Sequence, residues 1–297
     1  MKIHTPHNFQ KIFYLVTSAN RVQIGTKHTE FLQEKLIELQ IIDRIPDRLA
    51  VQYKLHNQVF KGTSLMHRFA ADMESLYSGI IFITNKENCL LTIYNFREIV
   101  EKWKKEFIPL INDQYPPEFG EVIVPQTNLL LKAPEKFIST FSGYSSWRFF
   151  FQNWYRTYSE RETATLTLND YFGSISLPLA LKKSIAPFTY NTRLVENIKC
   201  RAALNNDQFD RASFARMLKD LTQVYNIDAT LNVDMEENYT FLQNGTLNEA
   251  ELFLETRVAD WYAVTTAHQL KQLQKEEVAP EDERMKQENK EAMFVNP

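Results

Sequence analysis

In the second half of this 297-residue chain, apolar side chains recur at every other position. The runs are Ala164, Leu166 and Leu168, then Ile175, Leu177, Leu179 and Leu181, and later Ile227, Ala229, Leu231, Val233 and Met235. Successive side chains of a β-strand point to opposite faces, so this spacing describes strands buried on one side and wet on the other. Sheets of that kind are typically antiparallel meanders. One helical stretch interrupts them, DRASFARMLKDLTQVY, with Asp210 placed as N-cap and Phe214, Met217, Leu218 and Leu221 facing inward.

The first half mixes two periods. HTEFLQEKLIELQII sets Phe31, Leu32, Leu36 and Leu39 at helical spacing and predicts an amphipathic helix. LAVQYKL predicts a strand, and LMHRFAADMESLY a helix that Gly79 ends. GIIFI, NKEN and CLLTIY read as strand, turn and strand. A capping box of Asn95 and Glu98 then opens the helix FREIVEKWKKEF, while VIVPQTNLLLKAPEKFISTF is ambiguous.

Together these patterns predict the α+β class, with antiparallel sheets and packed helices. At about 150 residues per domain, two lobes are expected. The expected division is an N-terminal lobe over 1–112, a linker at 113–120 marked by NDQYPPEFG, and a C-terminal lobe with the meander over 121–274. Residues 275–297 are charged and poor in apolar groups until Met293, Phe294 and Val295, which predicts a mobile tail. FITNKENCLLTIYNFREIVEKW and FLQNGTLNEAELFLETRVADW share a strand–turn–strand outline ending in Trp. However, Asn244-Gly245 is a two-residue hairpin signal where NKEN is a longer loop, so two unrelated hairpins are expected.

Composition excludes several function classes. The chain has only 7 glycines, where about 20 would be average, and none cluster as a phosphate-cradling loop requires. A net charge of −3 gives no footprint for a nucleic-acid backbone. No apolar run approaches the ~18 residues of a membrane span. The opening MKIHTPHNFQKIFYLVTSAN has the outline of a secretory signal, but its apolar stretch, Ile12 to Val16, falls short of the about 7 to 15 residues such a signal needs. Two cysteines, Cys89 and Cys200, fit buried thiols in a reducing compartment, so a soluble, cytoplasmic protein is expected.

No reactive constellation is visible. His4 and His7 flank a proline and form no metal-ligand spacing; SGYSSW lacks the second glycine of a nucleophile elbow; Asp234, Glu236 and Glu237 read as a solvated turn. The expectation is therefore no catalytic residue, no metal and no cofactor. The most distinctive stretch is SSWRFFFQNWYRTYSER. On a helix, Trp147, Phe150, Phe151, Trp154 and Tyr158 would form one aromatic stripe with Arg148, Arg156 and Arg161 among the rings. Large rings at such spacing commonly fill a core, but Trp, Tyr and Arg are also the residues enriched at interface hot spots.

The sequence thus points to a non-enzymatic protein that binds another protein, as an adaptor, chaperone, inhibitor or subunit of a multiprotein complex. Trp147, Arg148, Phe151, Trp154, Arg156, Tyr158 and Phe294 are its candidate contact residues. The alternative is a small-molecule-binding protein or enzyme with an aromatic-walled cleft between the lobes.

Overall fold

The structure, a computed structural model, describes residues 2–6, 10–62, 64–190, 193–274 and 277–278. Eleven strands form one sheet: β1 (Lys11–Ile24), β2 (Lys27–Ile45), β3 (Arg48–Gly62), β4 (Ile81–Asn85), β5 (Leu90–Ile93), β6 (Arg161–Phe172), β7 (Ile175–Tyr190), β8 (Arg193–Leu204), β9 (Asn232–Leu242), β10 (Leu247–Val258) and β11 (Tyr262–Leu273). Their order is β5-β4-β3-β2-β1-β11-β10-β9-β8-β7-β6, and every neighbouring pair is antiparallel. The two halves of the chain are stitched together where β1 pairs with β11 from Phe13↔Leu273 to Ile24↔Tyr262.

This corrects the α+β, two-lobe expectation. Strand makes up 49% of the chain and helix 27%, and a single β-dominated sheet replaces the separate antiparallel sheets. Residues 113–120, read as a linker, run from the end of α3 (Ile108–Gln114) into α4 (Pro117–Leu131). Most of the tail, residues 275–276 and 279–297, lies outside the described residues, and Phe294 with it.

The stretch predicted as a helix from His28 is β2. Phe31, Gln33, Lys35, Ile37 and Leu39 are buried at a period of two, and Glu38, on the other face, is buried beneath Lys11 and His56, with which it pairs. Two of these inward positions are polar, which hides the alternation: Gln33 bonds Gln58 at 3.2 Å, and Lys35 meets Glu74 at 2.8 Å and the Ser146 hydroxyl at 3.4 Å. Buried polar groups are tolerated when paired in this way.

The other two helices predicted in the first half form, as α1 (Leu65–Tyr77) and α2 (Phe96–Lys102), and α2 continues through a π turn at Trp103–Phe107 into α3. The capping box at Asn95 does not. Asn95 instead ties the hairpin down, accepting from Ile81 N–H and donating to the Gly79 carbonyl, both at 2.9 Å. The ambiguous stretch is helical, as α4 and α5 (Pro134–Ser142), and α6 (Arg211–Thr222) is capped by Asp210, which accepts from Ser213 N–H at 3.0 Å.

All six α-helices contribute buried residues to one side of the sheet, the inner face. Ile99, Ile111, Ile123, Phe137 and Phe141 join strand residues such as Ile37, Tyr53, Ile198 and Tyr239 in one cluster; Phe214 and Leu218 join Phe172, Leu177 and Tyr262 in a second. The sheet curls around these layers, and the outer face carries no helix among the described residues. At the hairpin between β9 and β10, Gly245 has φ +82° and the N-terminal segment crosses it so closely that a Cβ there would lie 1.7 Å from the His4 carbonyl oxygen. Only glycine fits both the left-handed turn and that approach.

One inward polar pair makes stability depend on pH. His268 is buried, with Nδ1 2.8 Å from Ser18 Oγ and Nε2 unpartnered. Burial, with the Lys35 charge nearby, lowers its pKa from 6.5 to about 3. The unfolded chain takes up a proton near pH 6.5 that the folded chain refuses until far lower, so the stability of neutral His268 is intact above pH 6.5 and declines as pH falls towards 3, by about 1.4 kcal/mol per unit. His268→Gln, which can still bond Ser18, is expected to remove that share. Urea titrations at about pH 7 and about pH 5 should show the wild type losing about 2 kcal/mol more than the variant; equal losses would refute the assignment.

Candidate binding groove on the outer sheet face

The aromatic segment 147–158 is not a helix. One 3-10 turn, Ser146–Phe149, leads into irregular chain, and the rings are held from several directions rather than along one face. Trp147 touches Tyr53 of β3 and Phe82 of β4, with ring centroids 4.6 and 5.4 Å apart. Trp154 touches Tyr239 and Phe241 of β9 at 4.3 and 5.4 Å, and Phe149 meets His268 of β11 at 6.5 Å. The segment therefore fills the trough of the curled sheet. Its backbone bonds to neighbours, Trp154 N–H donating to the Glu87 carbonyl at 2.9 Å.

Trp147, Arg148, Phe151, Trp154 and Tyr158 are each less than a tenth exposed. Arg148 Nε donates to Glu237 Oε1 at 2.6 Å, and the Tyr239 hydroxyl donates to Glu237 Oε2 at 3.1 Å. Arg156 stacks over Tyr158 at 3.9 Å and pairs with Glu162 at the start of β6. The space left beside Phe149, Phe150 and Phe151 is about 60 Å³, against the several hundred that a small-molecule pocket occupies.

A concavity of about 850 Å³ lies on the opposite, outer face of β6–β10. Two cross-strand rows floor it. The first runs Thr163, Lys182, Arg201, Glu236, Phe253, and the second Arg161, Ser184, Lys199, Asn238, Glu251. Alternation sends their neighbours Glu162 and Glu237 to the inner face, where they meet Arg156 and Arg148. The buried ion pair thus anchors β9 from behind while Glu236 and Asn238 face the groove.

Electrostatically the groove is divided. In the two outward-facing rows, four cations, Arg161, Lys182, Lys199 and Arg201, stand on β6–β8 and two carboxylates, Glu236 and Glu251, on β9–β10, while Lys183, Glu162 and Glu237 belong to the alternate positions between them. Arg201 and Glu236 pair at 2.7 Å with both side chains more than half exposed. Arg161, Lys182 and Lys199 have no ion-pair partner among the described residues. Cys200 offers no nucleophile, since burial and the nearby Glu237 push its thiol up to about 12. Among the described residues no group of three metal-capable side chains converges, and no helix is long and apolar enough to cross a membrane.

Sequence reasoning places Arg161 only beside the aromatic rings and passes over Lys182, Lys199 and Arg201, because they occupy the wet positions of the alternation. Their convergence depends on which strands are neighbours and in what register, which no local pattern prints. No protein-family model and no curated protein matches the sequence. Among solved structures, one described as lipid–protein interactions in lipovitellin is similar over 90% of this chain and 26% of that one, at 10% identity and a TM-score of 0.46. The chain spans about a quarter of that structure's length, a likeness too distant to carry a functional inference.

Proposed function

We propose that this chain is a non-enzymatic binding protein that holds an acidic segment of another protein in the outer-face groove. The observation that carries the reading is the set of three cations without an ion-pair partner among the described residues, Arg161, Lys182 and Lys199, gathered in one concavity of about 850 Å³ on a chain whose net charge is −3. Unpaired like charges in one concavity repel, and that repulsion is relieved when carboxylates enter. Phe253, half-buried at the far end, supplies an apolar anchor of the kind hot spots use. Glu236 and Glu251 disfavour a uniformly anionic polymer, which selects a protein of mixed charge over a nucleic acid.

The test places a photocrosslinking residue at Ser184 in the full chain, in its own cells. A protein adduct is expected at Ser184, weakened at least about tenfold when Lys182→Glu and Lys199→Glu are combined. An adduct that survives both reversals, or one formed with RNA, would overturn the reading.

A further inference from the structure

We infer that the acidic segment enters as an added strand along β6, extending the sheet at its open edge. This rests on the groove being the binding site and specifies how it is filled. β6 is the last strand of the sheet. Its pairing with β7 fixes which backbone groups look outward: Ile185 N–H donates to the Glu160 carbonyl at 3.0 Å, so in the antiparallel ladder 160, 162, 164, 166 and 168 bond to β7. The N–H and C=O groups of Arg161, Thr163, Thr165 and Thr167 therefore point to the open side, and none has a partner among the described residues.

The two edges of the sheet are unequal. β5 is four residues long and α5 packs against it. β6 runs in register from Arg161 to Leu168 without a proline or a lysine, and its one inward charge, Glu162, is neutralised by Arg156. The bulge near Asp170 comes only after that run. An edge of this length without blunting devices is a template for another strand.

Charge identifies the occupant. Outer-face side chains of an added strand would lie beside Arg161 and Thr163, with Lys182 one strand further in, about 10 Å away across the short threonine. Glutamates at alternate positions would reach both cations. A second copy of β6, paired about Thr165, would bring Asn169 opposite Arg161 and leave these cations unanswered, so an acidic partner fits better than self-association.

The experiment uses the full chain with a peptide of alternating glutamate and valine long enough to span Arg161 to Thr167, a lysine–valine peptide as control, and residue-resolved amide exchange. The outward amides of Thr163, Thr165 and Thr167 are expected to slow only with the glutamate peptide. Thr165→Pro, which removes an outward N–H and no ladder bond, should weaken binding about tenfold while leaving the melting temperature nearly unchanged. If the peptide binds and perturbs Lys182 and Lys199 while the three amides stay fast and Thr165→Pro binds normally, strand addition is overturned and the groove reading stands. Absence of binding would sink both. Slowing that depends on protein concentration without peptide would replace the acidic partner by a second copy.

Discussion

Arg148→Met is expected to destabilise the protein by about 3–5 kcal/mol, because it leaves the Glu237 carboxylate uncompensated in the core. Arg148 and Glu237 are 8% and 2% exposed. Burial disfavours the charge on Arg148, yet the adjacent Glu237 holds the guanidinium protonated above its ordinary range. Combining Arg148→Met with Glu237→Leu removes both charges and their desolvation, so most of the loss should be recovered. Urea unfolding of the two single variants and the double variant closes the cycle. A single-variant loss under about 1 kcal/mol, or a double variant as weak as the sum of the singles, would show that the pair is not coupled in the core. Because Glu236 and Asn238 flank Glu237 on the groove side, the cycle also separates roles: the double variant should keep peptide binding if the ion pair only anchors β9.

What could be read from the sequence follows from how far apart the interacting residues lie along the chain. β7 and β10 alternate openly because their inward positions, such as Leu177, Leu179, Leu252 and Leu254, are apolar. β2 carries a helical spacing in sequence because Lys35 and Gln33 face inward and are satisfied by α1, β3 and the 146–149 turn, partners that only the tertiary fold supplies. The run Ile227 to Leu231 alternates but lies before β9, whose ladder starts at Asn232. Asn244-Gly245 marks the hairpin but not its length: Leu242 N–H donates to the Thr246 carbonyl and Gly245 N–H to the Leu242 carbonyl, so the loop holds three residues, Gln243, Asn244 and Gly245, rather than two. The rings at 147–158 kept helical spacing without forming a helix, because the curled sheet surrounds them and burial on all sides offsets the lost backbone ladder. The groove was least visible of all: Arg161, Lys182, Lys199 and Arg201 become neighbours only through the β6-β7-β8 register.

Phe149→Ala should cost about 3–5 kcal/mol, the range for truncating a fully buried phenyl ring. Phe149 is 0% exposed and borders the small space of about 60 Å³ near Phe150 and Trp154, so the truncation merges the vacated ring volume with an existing void. The enlarged cavity is lined mainly by rings and aliphatic groups such as Tyr14, Leu39, Phe150 and Trp154, with Gln40, Asn88 and Thr246 at its margin, and predominantly apolar cavities accept benzene. Benzene at 100 times its dissociation constant should therefore restore about 2.7 kcal/mol to the variant while leaving the wild type unmoved. Peptide binding in the outer groove should survive, because Phe149 touches β9 and β11 from the inner face only. A loss under about 1 kcal/mol with no benzene effect would mean the segment is loosely held, and the aromatic residues expected from the sequence to meet a partner would then be free to do so. A large loss with rescue fixes them as the plug that keeps the sheet curled, and assigns recognition to the face that the plug does not touch.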